Sequence, residues 1–454
     1  GFMLKSLYVV LISAFVGASA MAASLPTPAS DDDFYANGQP AEAKVQLGNL
    51  LFFDKILSGN KNISCGTCHS PYMGGSDGLS LGVGEGGKFL GPMRTLGEGI
   101  DAIGNRVARN APGLWNLGAK EFTKLNWQGI HQVDEATGEF LLPSGPATPQ
   151  GLENVLAAQV IFPVVNQTEM LGQPGDNEVI DASIGFPRGT PFLFPPQWDA
   201  LADRVKAIND YVDLFIAAFD DVNRAEDITF VHIANAIAAF ETVAFRATES
   251  PFDRFIAGER QALTVAQRRG MDIFYDRGNG AKAGCHQCHS GTFQTDHDFY
   301  SIAIPQFGPG VLPGPAGQDY GLEEVTRDDS DRYKFRTPSL RNVALTAPYG
   351  HNGAYNTLEE IVRHHLDPLS ALENWEPERV IMRDSGLMEN DFTGWEDTIL
   401  RQELADTNEL SPTTLSETDI ANLVAFLESL TDPASLNMRG MIPQTVPSGL
   451  PVGD

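Results

Sequence analysis

The chain has 454 residues, enough for two or three domains with their own cores, and its 42% apolar and 20% charged content is that of an ordinary globular protein. A formal net charge of −28 argues against nucleic acid as a partner, because so acidic a surface repels phosphate. The same charge suits a basic partner such as a small electron carrier, or serves solubility alone.

Taken in chain order, the first element is a targeting pattern. Lys5 gives a short positive region, residues 7–18 an apolar run, and Ala20-Met21-Ala22 a small-x-small cleavage site. Residues 1–22 therefore read as a signal peptide. The mature protein is then periplasmic or otherwise exported, with no membrane span left after cleavage, since no later segment reaches 18 uninterrupted apolar residues.

The next element is the end of an amphipathic helix, Leu47-Gly48 through Phe52-Phe53-Asp54, running into a loop that carries Cys65-Gly-Thr-Cys68-His69. Far downstream the same order returns. Arg269-Gly270 through Phe274-Tyr275-Asp276 leads to Cys285-His286-Gln-Cys288-His289. These two motifs use every cysteine of the chain. C-x-x-C-H is the pattern of covalent haem attachment: two thiols add across the vinyl groups of one haem, and the adjacent histidine becomes the proximal iron ligand. The expected cofactors are two c-type haems on Cys65, Cys68, His69 and on Cys285, Cys288, His289.

Between and after the motifs the halves keep matching. Arg109-Asn110-Ala-Pro112 corresponds to Arg336-Thr-Pro338, Trp127-Gln-Gly129 to His351-Asn-Gly353, and Leu152-Glu153…Gln159 to Leu358-Glu359…His365. The fold class expected is mostly α, with two cytochrome c-like haem domains related by an internal repeat, over 23–250 and 251–440. Strong helical patterns run over 228–242 and 418–430. Segments 129–149, 186–196 and 306–317 read as loops, and 441–454 as an extended tail on the surface.

These residues, with Met73-Gly-Gly-Ser-Asp77, Glu169-Met170 and the run from Arg336 to Pro348-Tyr349, resemble the bacterial dihaem cytochrome c peroxidases and their MauG-type relatives, from about residue 46 to 433. The resemblance implies that the N-terminal haem is the peroxide site and the C-terminal haem an electron relay. It implies Glu169 as the acid–base group, at the family's ten-residue step from Gln159; Gln159 as the residue orienting peroxide; Pro163 as a pocket wall; and Trp127 as an aromatic between the haems. One Ca2+ is implied, held by the Asn110 side chain and by Thr346 and Pro348 through backbone carbonyls, an oxygen-only set that suits calcium.

Two positions depart from the family pattern. Where classical members hold a blocking histidine, sixteen residues after His69, this chain has Glu85, and no histidine lies between His69 and His131. The peroxidatic iron is therefore expected to be open in the fully ferric state; His131 is expected at the surface, with reach to that iron the alternative. Where members place Met or Tyr on the relay haem stands His365, so bis-histidine ligation by His289 and His365 is expected, with His364 the alternative. Adjacent helical residues point about 100° apart, so one of the two faces the iron. His351 is expected to hydrogen-bond near the relay haem and His286 to be exposed.

The expected function is reduction of hydrogen peroxide, in the manner of a cytochrome c peroxidase, with electrons from a cytochrome c or cupredoxin. The alternatives are a MauG-type enzyme that uses peroxide to oxidise side chains of a protein substrate, and a non-enzymatic electron carrier. The oligomeric state is open, and a homodimer is allowed.

Overall fold

The computed structural model describes residues 23–382 and 388–453. Residues 1–22, and with them the expected signal peptide, lie outside the described residues. Seven helices frame the site: α1 (Glu42–Phe53), α2 (Val155–Val160), α3 (Phe194–Lys206), α4 (Phe230–Ala244), α5 (Val265–Phe274), α6 (Leu358–Leu366) and α7 (Glu417–Glu428). Strands are few and short, so the chain is helix-rich as its periodicity indicates. Among the described residues no helix is long and apolar enough to cross a membrane.

Two helix crossings organise the molecule, and they are built alike. Helix α1 passes α4 at Gly48, where a Cβ would lie 1.9 Å from the Ala236 carbonyl oxygen and 2.8 Å from Phe240 Cβ. Helix α5 passes α7 at Gly270, where a Cβ would lie 1.9 Å from the Asn422 carbonyl oxygen and 2.7 Å from Phe426 Cβ. Each glycine lets two backbones approach where any side chain would hold them apart, and each crossing delivers a phenylalanine (Phe52, Phe274) to the core below a C-x-x-C-H motif.

One core runs from Phe34 to Ala247 and takes in Phe293 and Met438. A second joins Phe252 to Leu430, and a third gathers Leu81 with residues between Ala303 and Leu404. The chain ends cross over. Ala23 and Leu25 pack on the second core, with Arg277 Nη1 donating to Ala23 O at 3.2 Å. The tail returns to the first: Ser448 Oγ donates to Asp54 Oδ1 at 2.6 Å, and Lys55 Nζ to Gly453 O at 2.6 Å.

Several sequence boundaries shift for local reasons. Helix α4 begins at Phe230 because Thr229 caps it, its N–H donating to His232 Nδ1 at 3.0 Å. The segment 186–196, expected as loop, already contains the start of α3, whose first turn is Phe194-Pro195-Pro196; proline fits there because no amide donor is required. The segment 129–149 is not all loop. It forms β2 (His131–Val133) and β3 (Phe140–Leu141), which join β1 (Lys124–Leu125) in an antiparallel sheet of order β1-β2-β3. The polar stretch that read as loop is the hairpin turn, where Asp134 Oδ1 accepts from Ala136 N and Thr137 N.

Candidate functional site

Each C-x-x-C-H motif closes one helical turn, with the histidine N–H donating to the first cysteine's carbonyl at 2.9 Å (His69 to Cys65, His289 to Cys285). In both, the ring Nδ1 faces a carbonyl: Gly75 O at 3.1 Å from His69 and Gln294 O at 3.2 Å from His289. That contact fixes the tautomer with Nδ1 as donor and leaves Nε2 as the free lone pair, the arrangement by which a histidine presents itself to a metal. Burial holds both rings neutral, His69 below its ordinary pKa and His289 at about 4, the latter also through neighbouring His365.

Both motifs open on one continuous cavity of about 860 Å³. Gln159, from the last turn of α2, and Pro163 line it, as do Trp127, Glu169, Asn110, Thr346, Pro348 and His365. The structure therefore brings every sequence-predicted site residue to the wall of a single chamber. Glu169 is set by Asn166, whose Oδ1 accepts from Thr168 N and Glu169 N. Burial pushes the Glu169 carboxyl up to about 7, with Arg109 partly offsetting the rise.

Beside the second motif the rings of His289 and His365 stand 6.3 Å apart between centroids. His365 Nδ1 is engaged by Ile361 O at 2.8 Å, which frees its Nε2. His364 is occupied at both nitrogens, Nε2 with Ile302 O and Nδ1 with the Tyr355 hydroxyl, each at 2.6 Å. Of the adjacent pair, His365 alone presents a free nitrogen to the chamber. His351 lines the chamber too, stacked on Phe335 at 3.7 Å, with a buried Nδ1 that has no hydrogen-bond partner among the described residues.

The two halves are tied together around the chamber. Asn110 N donates to His351 O, and Arg336 N to Trp127 O, each at 2.8 Å. Trp127 Nε1 donates to Asn110 O at 2.9 Å. Arg109 meets Asp319 at 2.7 Å and Glu324 at 2.9 Å. Burial alone would raise Asp319, but the Arg109 guanidinium holds that carboxyl below the usual range. The Asn110 amide nitrogen donates to Leu79 O at 2.8 Å, and its Oδ1 accepts from no group among the described residues. No cluster of three or more His, Cys, Asp or Glu is arranged to hold a metal ion among the described residues.

Four residues differ from expectation or were not anticipated. His131 is not at the surface: it is 4% exposed, lines the chamber and stacks on Phe162 at 4.5 Å. The reason is β2, which turns its first residue inward against α2. His286 is half-buried and paired with Asp276 at 3.2 Å rather than exposed. Glu241, an acid inside the apolar face of α4, lines the chamber with a buried, unpartnered Oε2, and burial lifts it to about 8. Among the described residues Arg336 lines it with only carbonyl partners, Asn126 O and Thr337 O, and burial lowers its pKa to about 10. A charge within an apolar helix pattern was the available signal for Glu241; for Arg336 it was the match to Arg109.

Glu85 sits apart from this chamber. Its carboxylate accepts from Asn60 Nδ2 at 2.6 Å and Asn62 Nδ2 at 2.7 Å, and it lines a separate cavity of about 250 Å³.

The lining fits two haems: C-x-x-C cysteines outside any disulfide, imidazoles with free Nε2 atoms, orphaned polar atoms, and a buried cation with no carboxylate partner among the described residues. Fold and site thus define a helical c-type cytochrome of the two-haem class. The family described as di-haem cytochrome c peroxidase matches residues 42–261. Cytochrome-c peroxidase IdrP1 of Pseudomonas sp. (strain SCT) is 30% identical over 361 residues, 74% of each chain. The methylamine utilization protein MauG of Methylorubrum extorquens is 30% identical over 325 residues, 71% of this chain and 68% of that one. The crystal structure of a MauG-like protein associated with microbial copper homeostasis superimposes with a TM-score of 0.56 at 26% identity, covering 93% of this chain and 97% of that one. The chain belongs to the dihaem cytochrome c peroxidase family, which includes both peroxidases and MauG, and it is an oxidoreductase of the peroxidase type.

Proposed function

We propose that the protein reduces hydrogen peroxide to two molecules of water, taking up two electrons and two protons, at the haem held by Cys65, Cys68 and His69. The observation that carries this reading is Glu169: a carboxyl with its pKa near 7, in the same chamber as His69 and beside Gln159 and Pro163. Haem, when bound, supplies the iron and the electrons for breaking the O–O bond. The chain supplies the rest. Glu169, when ionised, takes the proton of the oxygen that binds and returns it to the oxygen that leaves. Gln159 orients the peroxide through its amide, and Pro163 closes the wall.

The second unit, with Cys285, Cys288, His289 and His365, is read as the relay, carrying a bis-histidine haem. Trp127, bonded to Asn110 on one side and Arg336 on the other, is the aromatic stepping point between the units. Asn110 Oδ1 with the carbonyls of Thr346 and Pro348 is the proposed calcium set. The two alike helix crossings support two copies of one haem-binding unit, 23–250 and 251–440. The pattern of residues 1–22 supports their removal on export to the periplasm.

A second reading is favoured by Glu85. It stands where classical relatives carry a blocking histidine, yet it is held by Asn60 and Asn62 away from the chamber. A pocket open in the fully ferric state suits a MauG-type enzyme that oxidises a partner protein. Mixing the fully ferric protein with one equivalent of peroxide, in native and E169Q forms, tests the shared core: fast loss of a high-spin ferric signal in the native protein and a slow response in E169Q are expected. A response that appears only after one haem is reduced would overturn the open-pocket argument from Glu85, and no response in either state would sink both readings. Rapid steady turnover with a reduced cytochrome c or cupredoxin then selects peroxide reduction; poor turnover with lasting oxidation of a partner selects the second.

A further inference from the structure

We propose that His131 is a substrate-positioning residue of the peroxide pocket, a fixed hydrogen-bond acceptor for an O–H group of the bound substrate. The inference rests on the peroxidatic reading of the His69 unit and goes beyond it, because neither the acid–base role of Glu169 nor the orienting role of Gln159 requires a third polar group.

The polarity of His131 is set by its neighbours. Its Nδ1 lies 2.7 Å from Asn126 Oδ1, which accepts from Nδ1–H and so leaves the lone pair on Nε2. Nε2 has no hydrogen-bond partner among the described residues, and the side chain borders the chamber. Burial lowers the ring's pKa to about 3, so the acceptor stays neutral and unprotonated across the physiological range.

Its position is set equally firmly. The ring is stacked on Phe162 at an interplanar angle of 14°, and Phe162 is three residues beyond Gln159 and directly before Pro163. Phe162 is itself held edge-on by Phe194 at 5.8 Å and Trp198 at 6.3 Å. Trp198 Nε1 donates to Ile161 O at 2.7 Å, which pins that wall to the end of α2. Strand pairing of His131 with Leu125 holds the backbone. A lone pair held this rigidly costs no reorganisation when substrate arrives.

The chemistry of the substrate calls for such a group. Hydrogen peroxide brings two O–H donors. Gln159 can turn its amide either way, and Glu169 changes sense with protonation. His131 Nε2 is the acceptor whose sense is fixed.

The test compares protic and aprotic ligands of the peroxidatic iron in the full holoprotein, read by absorption spectroscopy. Hydrogen cyanide added to the ferric protein carries a proton that an acceptor can engage; carbon monoxide added to the reduced protein carries none. In H131L, hydrogen cyanide association is expected to slow roughly 3- to 10-fold, the worth of one hydrogen bond, while carbon monoxide binding is unchanged. H131Q, which can again offer an acceptor, is expected to recover part of the loss. Equal changes for both ligands would reveal a merely structural role and overturn the proposal, as would an H131L protein that binds hydrogen cyanide like the native one. Peroxide mixing separates this from the functional reading. A native protein that does not respond to peroxide, either fully ferric or with one haem reduced, refutes the peroxidatic role. A slow E169Q beside an H131L protein with native cyanide and peroxide kinetics refutes His131 alone.

Discussion

A group that must take a proton and give it back works best with a pKa near the pH at which it operates. Glu169 meets that condition because the chamber withholds water from it, and Arg109 keeps the rise moderate. E169Q is expected to lower peroxide turnover by about 10²- to 10⁴-fold with the haem spectra unchanged. The native rate should climb as pH rises through about 7, since the ionised carboxylate takes the first proton, and the E169Q rate should be flat there. A residual E169Q rate with the native pH profile would remove Glu169 from the mechanism. At the relay, methionine ligation raises haem potential, so H365M is expected to shift that haem's midpoint upward in a redox titration. H364A should leave the potential in place and cost roughly 1–3 kcal/mol of stability, through the buried Tyr355 hydroxyl and Ile302 carbonyl it strands.

The helix crossings carry a prediction of their own. Alanine is the better helix former by about 1 kcal/mol, so Gly270→Ala would stabilise an isolated α5. In the molecule its Cβ meets the Asn422 carbonyl, a backbone atom that yields only if α5 and α7 separate. A net loss of roughly 1–3 kcal/mol is therefore expected in denaturant unfolding, with Gly48→Ala alike; a neutral G270A would mean the crossing is looser than it stands. Helices α4 and α7, and the ends of α1 and α5 that carry the two matched glycines, were legible in the sequence from apolar residues at helical spacing, whereas α3 was not, its start falling in a Pro- and Gly-rich stretch that reads as loop. The hairpin holding His131 was not: strands of two and three residues are too short to show alternation, and polar turn residues dominate the segment. The cysteine motifs were legible at once because covalent chemistry demands them at fixed spacing. His365 was already preferred over His364 from its place in the family pattern; the fold adds Tyr355 and Ile302, distant partners of α6 that claim the other ring.

At the scale of the whole molecule, the buried carboxyls set how stability follows pH. Burial lifts Asp77 and Glu169 to about 7 and Glu241 to about 8, well above the values these groups take in an unfolded chain. Between roughly pH 4 and 8 the folded state keeps protons that the unfolded state has lost, so each group lowers stability as pH rises through that window. Each contributes at most about 1.4 kcal/mol per pH unit. Asp319 has the opposite sign: held below the usual range by Arg109, it stabilises above that range and loses its contribution as pH falls through its folded value. Self-repulsion from a net charge of −28 adds to the loss at higher pH. Thermal melts of the holoprotein are thus expected to peak in mildly acid solution and fall toward pH 8. Salt separates the two causes, because it screens surface repulsion and leaves burial untouched. In high salt, native protein should still lose stability between pH 5 and 8, whereas E241Q should match it at pH 5 and exceed it at pH 8. A native melt that rises steadily to pH 8, or an E241Q protein that parallels it throughout, would show that Glu241 is not the neutral acid its surroundings require.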